Sequence, residues 1–267
     1  MEMVNKHKIL LRVAYDGTEY CGWQIQSNSL SLQEVLERKL SQIYAGTKIK
    51  SESSSRTDAG VHAFSHAVSF IPPEKPKIDL KTLYKALNRM LPASIRIREI
   101  KKVPESFHAR FSADSKAYTY VINTGIPSPF TARWNWHLHD FKKIREVRKA
   151  TKCLEGKHDF SAFTVERKKI DDAVRTIHKI SVKKSGDFFC ITFIGDGFLY
   201  KMVRSIVGSL AAVGMGKAPP SKIKDILESR NRVEGYDTAP AKGLFLMDVF
   251  YKKNEWKKFK LRNLPFQ

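Results

Sequence analysis

Between residues 53 and 63 the chain reads Ser53-Ser54-Ser55-Arg56-Thr57-Asp58-Ala59-Gly60-Val61-His62-Ala63. Small and hydroxylic residues surround a single Arg-x-Asp pair, and no apolar period of 2 or 3.6 runs through the stretch, so core packing does not explain its composition. What remains is one carboxylate on a glycine-hinged loop, a group suited to act as nucleophile or proton acceptor. An ordinary turn would use the same Asp and Gly.

Three further stretches carry chemistry. Ser106-Phe107-His108-Ala109-Arg110-Phe111-Ser112-Ala113 leads through Lys116 into Tyr118-Thr119-Tyr120, a basic and aromatic segment just before a strand. Alternation puts Tyr118 and Tyr120 on one face, where a core role competes with a functional one. Gly195 to Arg204 reads as a strand-to-helix junction whose helix holds one Arg amid apolar residues. Arg is rarely buried without a partner, so Arg204 either points to solvent beside Lys201 or meets a carboxylate. Tyr15-Asp16-Gly17-Thr18-Glu19-Tyr20-Cys21-Gly22-Trp23-Gln24 offers aromatics and amides after a strand, read here as exposed groups suited to stacking and backbone contacts with RNA.

Composition bounds what these groups serve. The chain has 267 residues, 42% of them hydrophobic, enough for one large domain or two ordinary ones with a real core. A net charge of +21 and a pI near 9.9 make a polyanion the first partner to consider. Nucleic acid fits better than a membrane surface, because the basic residues spread along the whole chain and no run of 18 apolar residues occurs. The polar Met1–Lys8 leads straight into a strand, so no signal peptide is expected and the cytoplasm is the expected location. The three cysteines, Cys21, Cys153 and Cys190, form no C-x-x-C pair and support neither a zinc site nor a disulfide framework. His62 and His66 are spaced to share a helix face, but Ala63 stands where an H-E-x-x-H site needs Glu, so no metal is expected.

The elements that must position these groups follow from periodicity. Ile9 to Tyr15 reads as a strand closed by Asp16-Gly17, and Ser31 with Glu34 forms a capping box for a helix carrying Leu32, Val35, Leu36, Leu40 and Ile43. A short strand over Thr47–Ser51 and a second over His66–Ile71 flank the Asp58 loop. A helix capped by Asp79 then carries Leu80, Leu83, Tyr84, Leu87 and Leu91, and a strand over Ile95–Arg98 follows. This is β-α-β-β-α-β, the ferredoxin-like split βαβ. The second half repeats the order without visible sequence repetition. Its strand is Ala117–Asn123, and its helix runs from about Asp140 with Phe141, Ile144, Val147 and Leu154. Strands Val174–Val182 and Phe188–Ile194 turn at Lys184-Ser185-Gly186. A helix follows over Leu199–Leu210, then a shorter one after Pro219-Pro220, and the last strand is Leu244–Tyr251. The expected fold is therefore α+β, two similar ferredoxin-like (RRM-like) halves with mainly antiparallel sheets, 1–104 and 105–267, divided near Pro104 and flanking a basic cleft.

Taken in order, these stretches resemble the tRNA pseudouridine synthase A family. The resemblance rests on Tyr15-Asp16-Gly17 with Gly22-Trp23-Gln24, Arg56 to His62, Phe107 to Ser112 with Tyr118, and Met202-Val203-Arg204-x-Ile206-Val207-Gly208. Gly156-x-His158-Asp159-Phe160-Ser161 and Ala241-Lys242-Gly243-Leu244 extend it over essentially the whole chain. The departures are Ser54-Ser55 and Asp196-Gly197, where the family often has small residues or Gly, and Asn-Ala. The resemblance implies isomerisation of uridine to pseudouridine in the anticodon stem-loop of tRNA, at about nucleotides 38 to 40, without metal or cofactor, by a cytoplasmic homodimer. It implies Asp58 as the catalytic carboxylate, whether attacking C1′, attacking the ring or taking a sugar proton. Tyr118 would stack on the uracil near C5, and Arg204 would be the counter-charge of Asp58. Arg56 would hold the extruded nucleotide, with His62 and Arg110 as further substrate contacts. A non-catalytic protein of two RRM-like halves, or a synthase acting on another RNA, would share the charge, the aromatics and the topology.

Overall fold

In the computed structural model, which describes residues 7–165 and 172–266, the first β-prone run forms β1 (His7–Tyr15). It is followed by α1 (Leu32–Ile43), β2 (Ser51–Ser53), β3 (His62–Phe70), α2 (Leu80–Met90) and β4 (Ile95–Pro104). Both helices start where an oxygen can cap them. Ser31 Oγ accepts from the Glu34 N–H at 3.2 Å, and Asp79 Oδ1 accepts from the Thr82 N–H at 3.0 Å. Pro92 sets where α2 stops, because the residue before a proline is pushed out of the helical region and Leu91 is extended. Of the stripe expected on α2, Leu83, Leu87 and Leu91 are buried, Leu80 is half-buried and Tyr84 is exposed.

The chain divides into two compact units, one holding the residues up to Asp114 together with Leu246–Lys252, the other Ser115–Phe245 and the residues from Lys253 onward. In the first, β4, β1, β3 and β2 lie side by side, each pair antiparallel. That is the split βαβ order expected. Leu246–Phe250 also lies beside β3. Three boundaries differ from expectation. β4 runs on past Arg98 to Pro104. Thr47–Lys50 is irregular and the short strand is Ser51–Ser53, set by backbone pairing with Val68–Phe70 that no apolar alternation announces. β3 begins at His62, four residues early, so His62 and His66 lie on a strand and not on a helix.

The second unit contains β5 (Ser115–Asn123), β6 (Trp136–His137), α3 (Ile144–Thr151), β7 (Gly156–Asp159), β8 (Val174–Ser185), β9 (Phe188–Gly195), α4 (Met202–Gly214) and α5 (Ser221–Ser229), and Leu244 and Phe245 of β10 (Leu244–Phe250). Antiparallel neighbours run β5, β9, β8, β7, and β6 lies parallel to β5. The expected order is present as β5, α3, β8, β9, α4, α5 and β10, with β6 and β7 added. α3 begins at Ile144, because Lys142 and Lys143 donate their N–H groups to the Gly214 carbonyl instead of entering a helix. The β8–β9 turn is Gly186-Asp187, with Gly186 at φ +56, as Ser185 still pairs with Phe188. Leu199 lies ahead of α4, which opens at Lys201 in the left-handed region. Every residue of α4 except Arg204 is buried, as an all-round apolar helix requires. Among the described residues no helix is long and apolar enough to cross a membrane.

Candidate active site

Asp58 heads a tight turn. Its carbonyl accepts from the Val61 N–H at 3.1 Å and Gly60 sits at φ +75, the pattern of a type II turn. A turn alone needs nothing more, yet this one is held from several sides. The Ser55 N–H donates to His66 Nε2 (3.3 Å), so an uncharged His66 carries its proton on Nδ1 and donates to Tyr15 Oη (3.3 Å). The Tyr15 hydroxyl then donates to Thr57 Oγ1 at 2.8 Å. This one-directional chain begins and ends in the loop, on either side of Arg56. Trp23 closes over it, its ring 4.3 Å from His66 and its backbone N–H donating to the Thr57 carbonyl at 3.0 Å.

Two glycines let the preceding segment approach so closely. A Cβ on Gly17 would fall 2.0 Å from the Val61 carbonyl oxygen, and one on Gly22, itself at φ +89, would fall 2.5 Å from the Thr57 oxygen. Tyr15, Tyr20 and Trp23 are therefore buried supports, which corrects the reading of this segment as exposed aromatics for RNA.

Arg56 is exposed and Asp58 half-buried, so both side chains reach the surface of the loop. His62 does not. It is 1% exposed, its Nδ1 3.1 Å from both the Gly17 amide nitrogen and the Asp16 carboxylate. With its proton on Nδ1 the ring donates to Asp16; bare, it accepts from Gly17. Burial alone would raise the Asp16 pKa, but hydrogen bonds from His62 and Thr18 outweigh it and hold the carboxylate well below its usual range. In this unit Arg56, Asp58 and His62 come from one loop and the strand it enters, while Arg110 is exposed on a separate loop.

The second unit carries the other two expected residues. Tyr118 on β5 is 8% exposed, with its ring edge-on to Phe198 at 5.2 Å. Tyr120, on the same face, is core: burial pushes its phenol well above the usual range, and the hydroxyl donates to the Pro240 carbonyl at 2.7 Å. Arg204 is half-buried, and its Nε donates to the Ala239 carbonyl at 2.8 Å while its own carbonyl accepts from the Ala239 N–H. Gly208, one turn on, permits that contact, because a Cβ there would fall 1.8 Å from the Asp237 carbonyl oxygen. Gly243 has the same purpose beneath Tyr120, where a Cβ would meet the ring at 2.7 Å.

A family profile described as tRNA pseudouridine synthase matches residues 12–112 and 150–252. The chain belongs to the tRNA pseudouridine synthase family. It is 39% identical over 244 residues to the tRNA pseudouridine synthase A of Thermoanaerobacter sp. (strain X514), covering 91% of this chain and 99% of that one. The protein of the same name from Chlamydia muridarum (strain MoPn / Nigg) is 40% identical over 247 residues, 91% and 92% of the two chains. That of Geotalea daltonii (strain DSM 22248 / JCM 15807 / FRC-32) is 40% identical over 244 residues, 91% and 99%. The profile spans the carboxylate turn and its supports as well as α4 of this tRNA pseudouridine synthase.

Proposed function

We propose that the uridines isomerised by this tRNA pseudouridine synthase are those of the anticodon stem-loop, with Asp58 as the catalytic carboxylate, Tyr118 stacked on the uracil and Arg204 as the counter-charge of Asp58. The observation that carries the assignment of Asp58 is the support around its turn: hydrogen bonds at Ser55 and Thr57 and glycine contacts at Thr57 and Val61 fix the backbone on both flanks of one half-buried carboxylate. Pseudouridine formation breaks the N1–C1′ bond, turns the uracil and joins C5 to C1′, so the enzyme must hold a detached base by its face and keep water out. Attack at C1′, attack on the ring and removal of a sugar proton all start from an ionised carboxylate placed within contact of the nucleotide. Arg56, exposed beside it, suits the phosphate of an extruded nucleotide. Arg110 contributes a second substrate contact. His62, buried as it is, acts through the loop it supports instead of touching the substrate. The expected halves, 1–104 with the carboxylate loop and 105–267 with Tyr118 and Arg204, divide these roles.

The test is single-turnover pseudouridine formation on tRNA carrying 5-tritiated uridine, with anticodon-arm and other RNA substrates side by side. Asp58→Asn keeps the size of the side chain and removes its charge, so tritium release stops while tRNA binding holds or tightens, one anion having left the path of a polyanion. Turnover near the wild-type rate would reduce the loop to a turn. Equal activity on RNA without an anticodon arm would overturn the substrate assignment. We also propose a homodimer working in the cytoplasm, a reading supported by the resemblance to the A-type enzymes; sedimentation velocity tests the dimer and a monomer at micromolar concentration excludes it.

A further inference from the structure

The first unit holds a second segment, Phe107–Ser112, that is fixed in place without helix or strand. The Phe107 N–H donates to the Pro104 carbonyl at 3.0 Å, and the Phe107 carbonyl accepts from Lys8 Nζ at 2.9 Å, a lysine also paired with Glu52. The Phe107 ring lies 4.8 Å from that of Tyr251, whose hydroxyl donates to the Ala109 carbonyl at 2.8 Å. His108 and Ser112 close the segment on itself: the His108 N–H donates to Ser112 Oγ and the Ser112 N–H to the His108 carbonyl, each at 3.0 Å. His108 Nδ1 accepts from the Arg110 and Phe111 N–H groups at 3.0 and 3.3 Å.

With its backbone tied down, the segment turns Arg110 and Phe111 outward. Phe111 is 76% exposed, its ring 4.4 Å from His108 and 5.5 Å from the Arg110 guanidinium. A phenyl ring in water on a rigid loop adds nothing to the core, but its face is available to a flat apolar partner at little cost in ordering. On a chain of net charge +21 whose family acts on tRNA, a nucleobase is that partner. We propose that Phe111, backed by His108, is a stacking platform for an unpaired base of the bound tRNA, with Arg110 on the adjoining phosphate. The proposal rests on the reading of the chain as an enzyme of tRNA.

Binding of a tRNA transcript, followed by fluorescence anisotropy over a range of salt, tests it. Phe111→Ala weakens binding by about 5- to 150-fold, the loss of one stacked base, and leaves the slope of log Kd against log salt unchanged, because no charge is involved. Phe111→Trp restores the affinity. Arg110→Ala lowers the slope by about 1. A Phe111→Ala protein that binds within two-fold of wild type overturns the proposal, and so does weakening that tracks a fall in melting temperature or a change in oligomeric state. Tritium release by the wild-type enzyme is read separately: binding without release sinks the isomerase reading and leaves the platform to be judged on the anisotropy data.

Discussion

Tyr118 and Asp16 bear on the proposed reaction in different ways, one by contact and one by stability. Tyr118 offers a ring and a hydroxyl, and Tyr118→Phe separates them: if the hydroxyl assists removal of the C5 proton, the variant binds tRNA as wild type does and isomerises it about 10²-fold or more slowly. Single-turnover rates at saturating tRNA give the answer, and an undiminished rate confines the residue to stacking. Asp16 is engaged instead by His62 and Thr18. Its depressed pKa means that the folded state favours the ionised form, so the stability it contributes is present above the unfolded value of about 3.9 and is lost as pH falls below that toward the folded value. Asp16→Asn is therefore less stable than wild type at neutral pH, and the difference narrows below about pH 4. Urea midpoints at pH 7, 5 and 3 check the sign; a gap that widens in acid contradicts it.

Among elements, those with a period or a cap were legible in the sequence. Ser31 and Asp79 mark the starts of α1 and α2 because a hydroxyl or carboxylate oxygen there has an N–H to accept. The β-α-β-β-α-β order follows from such signals. Short elements were not legible: β6 spans Trp136–His137, β7 spans Gly156–Asp159, and neither is long enough to alternate. Nor was burial in loops, for Tyr20 and Trp23 carry no period that tells inward from outward. The glycine-hinged turn at Asp58 was legible through Gly60, whereas the Tyr15–His66 support was not, since it joins residues whose spacing has no local meaning. Gly208 gives an element-scale prediction. In an ordinary helix interior Gly→Ala stabilises by roughly 0.5–1 kcal/mol. In α4 the added methyl meets the Asp237 carbonyl, so Gly208→Ala destabilises instead, by about 1–3 kcal/mol, and moves the Ala239 segment that holds Arg204. Chemical denaturation reads the sign, and a stabilised variant refutes the contact.

For the whole molecule, the net charge of +21 sets how tRNA is held. With roughly six phosphates neutralised, affinity falls on the order of 10³-fold between about 50 and 200 mM salt. A flat response means that the basic residues serve solubility and not binding. Equilibrium binding of a tRNA transcript at four salt concentrations is sufficient to decide it.

Because Leu246–Lys252 belongs with the first unit, that unit cannot close while the ribosome is still adding the second. Arg12 on β1 finds the Val249 carbonyl and the Asp248 carboxylate 237 and 236 residues later, and Tyr251 ties down Ala109 from still farther along. At about 5–20 residues per second, translation leaves β1 and β3 waiting on the order of 10–50 s for the strand that completes them. The unit that is translated first is among the last to be finished, and a product of stalled synthesis carries the Asp58 turn on a sheet whose exposed edge invites a chaperone or a protease.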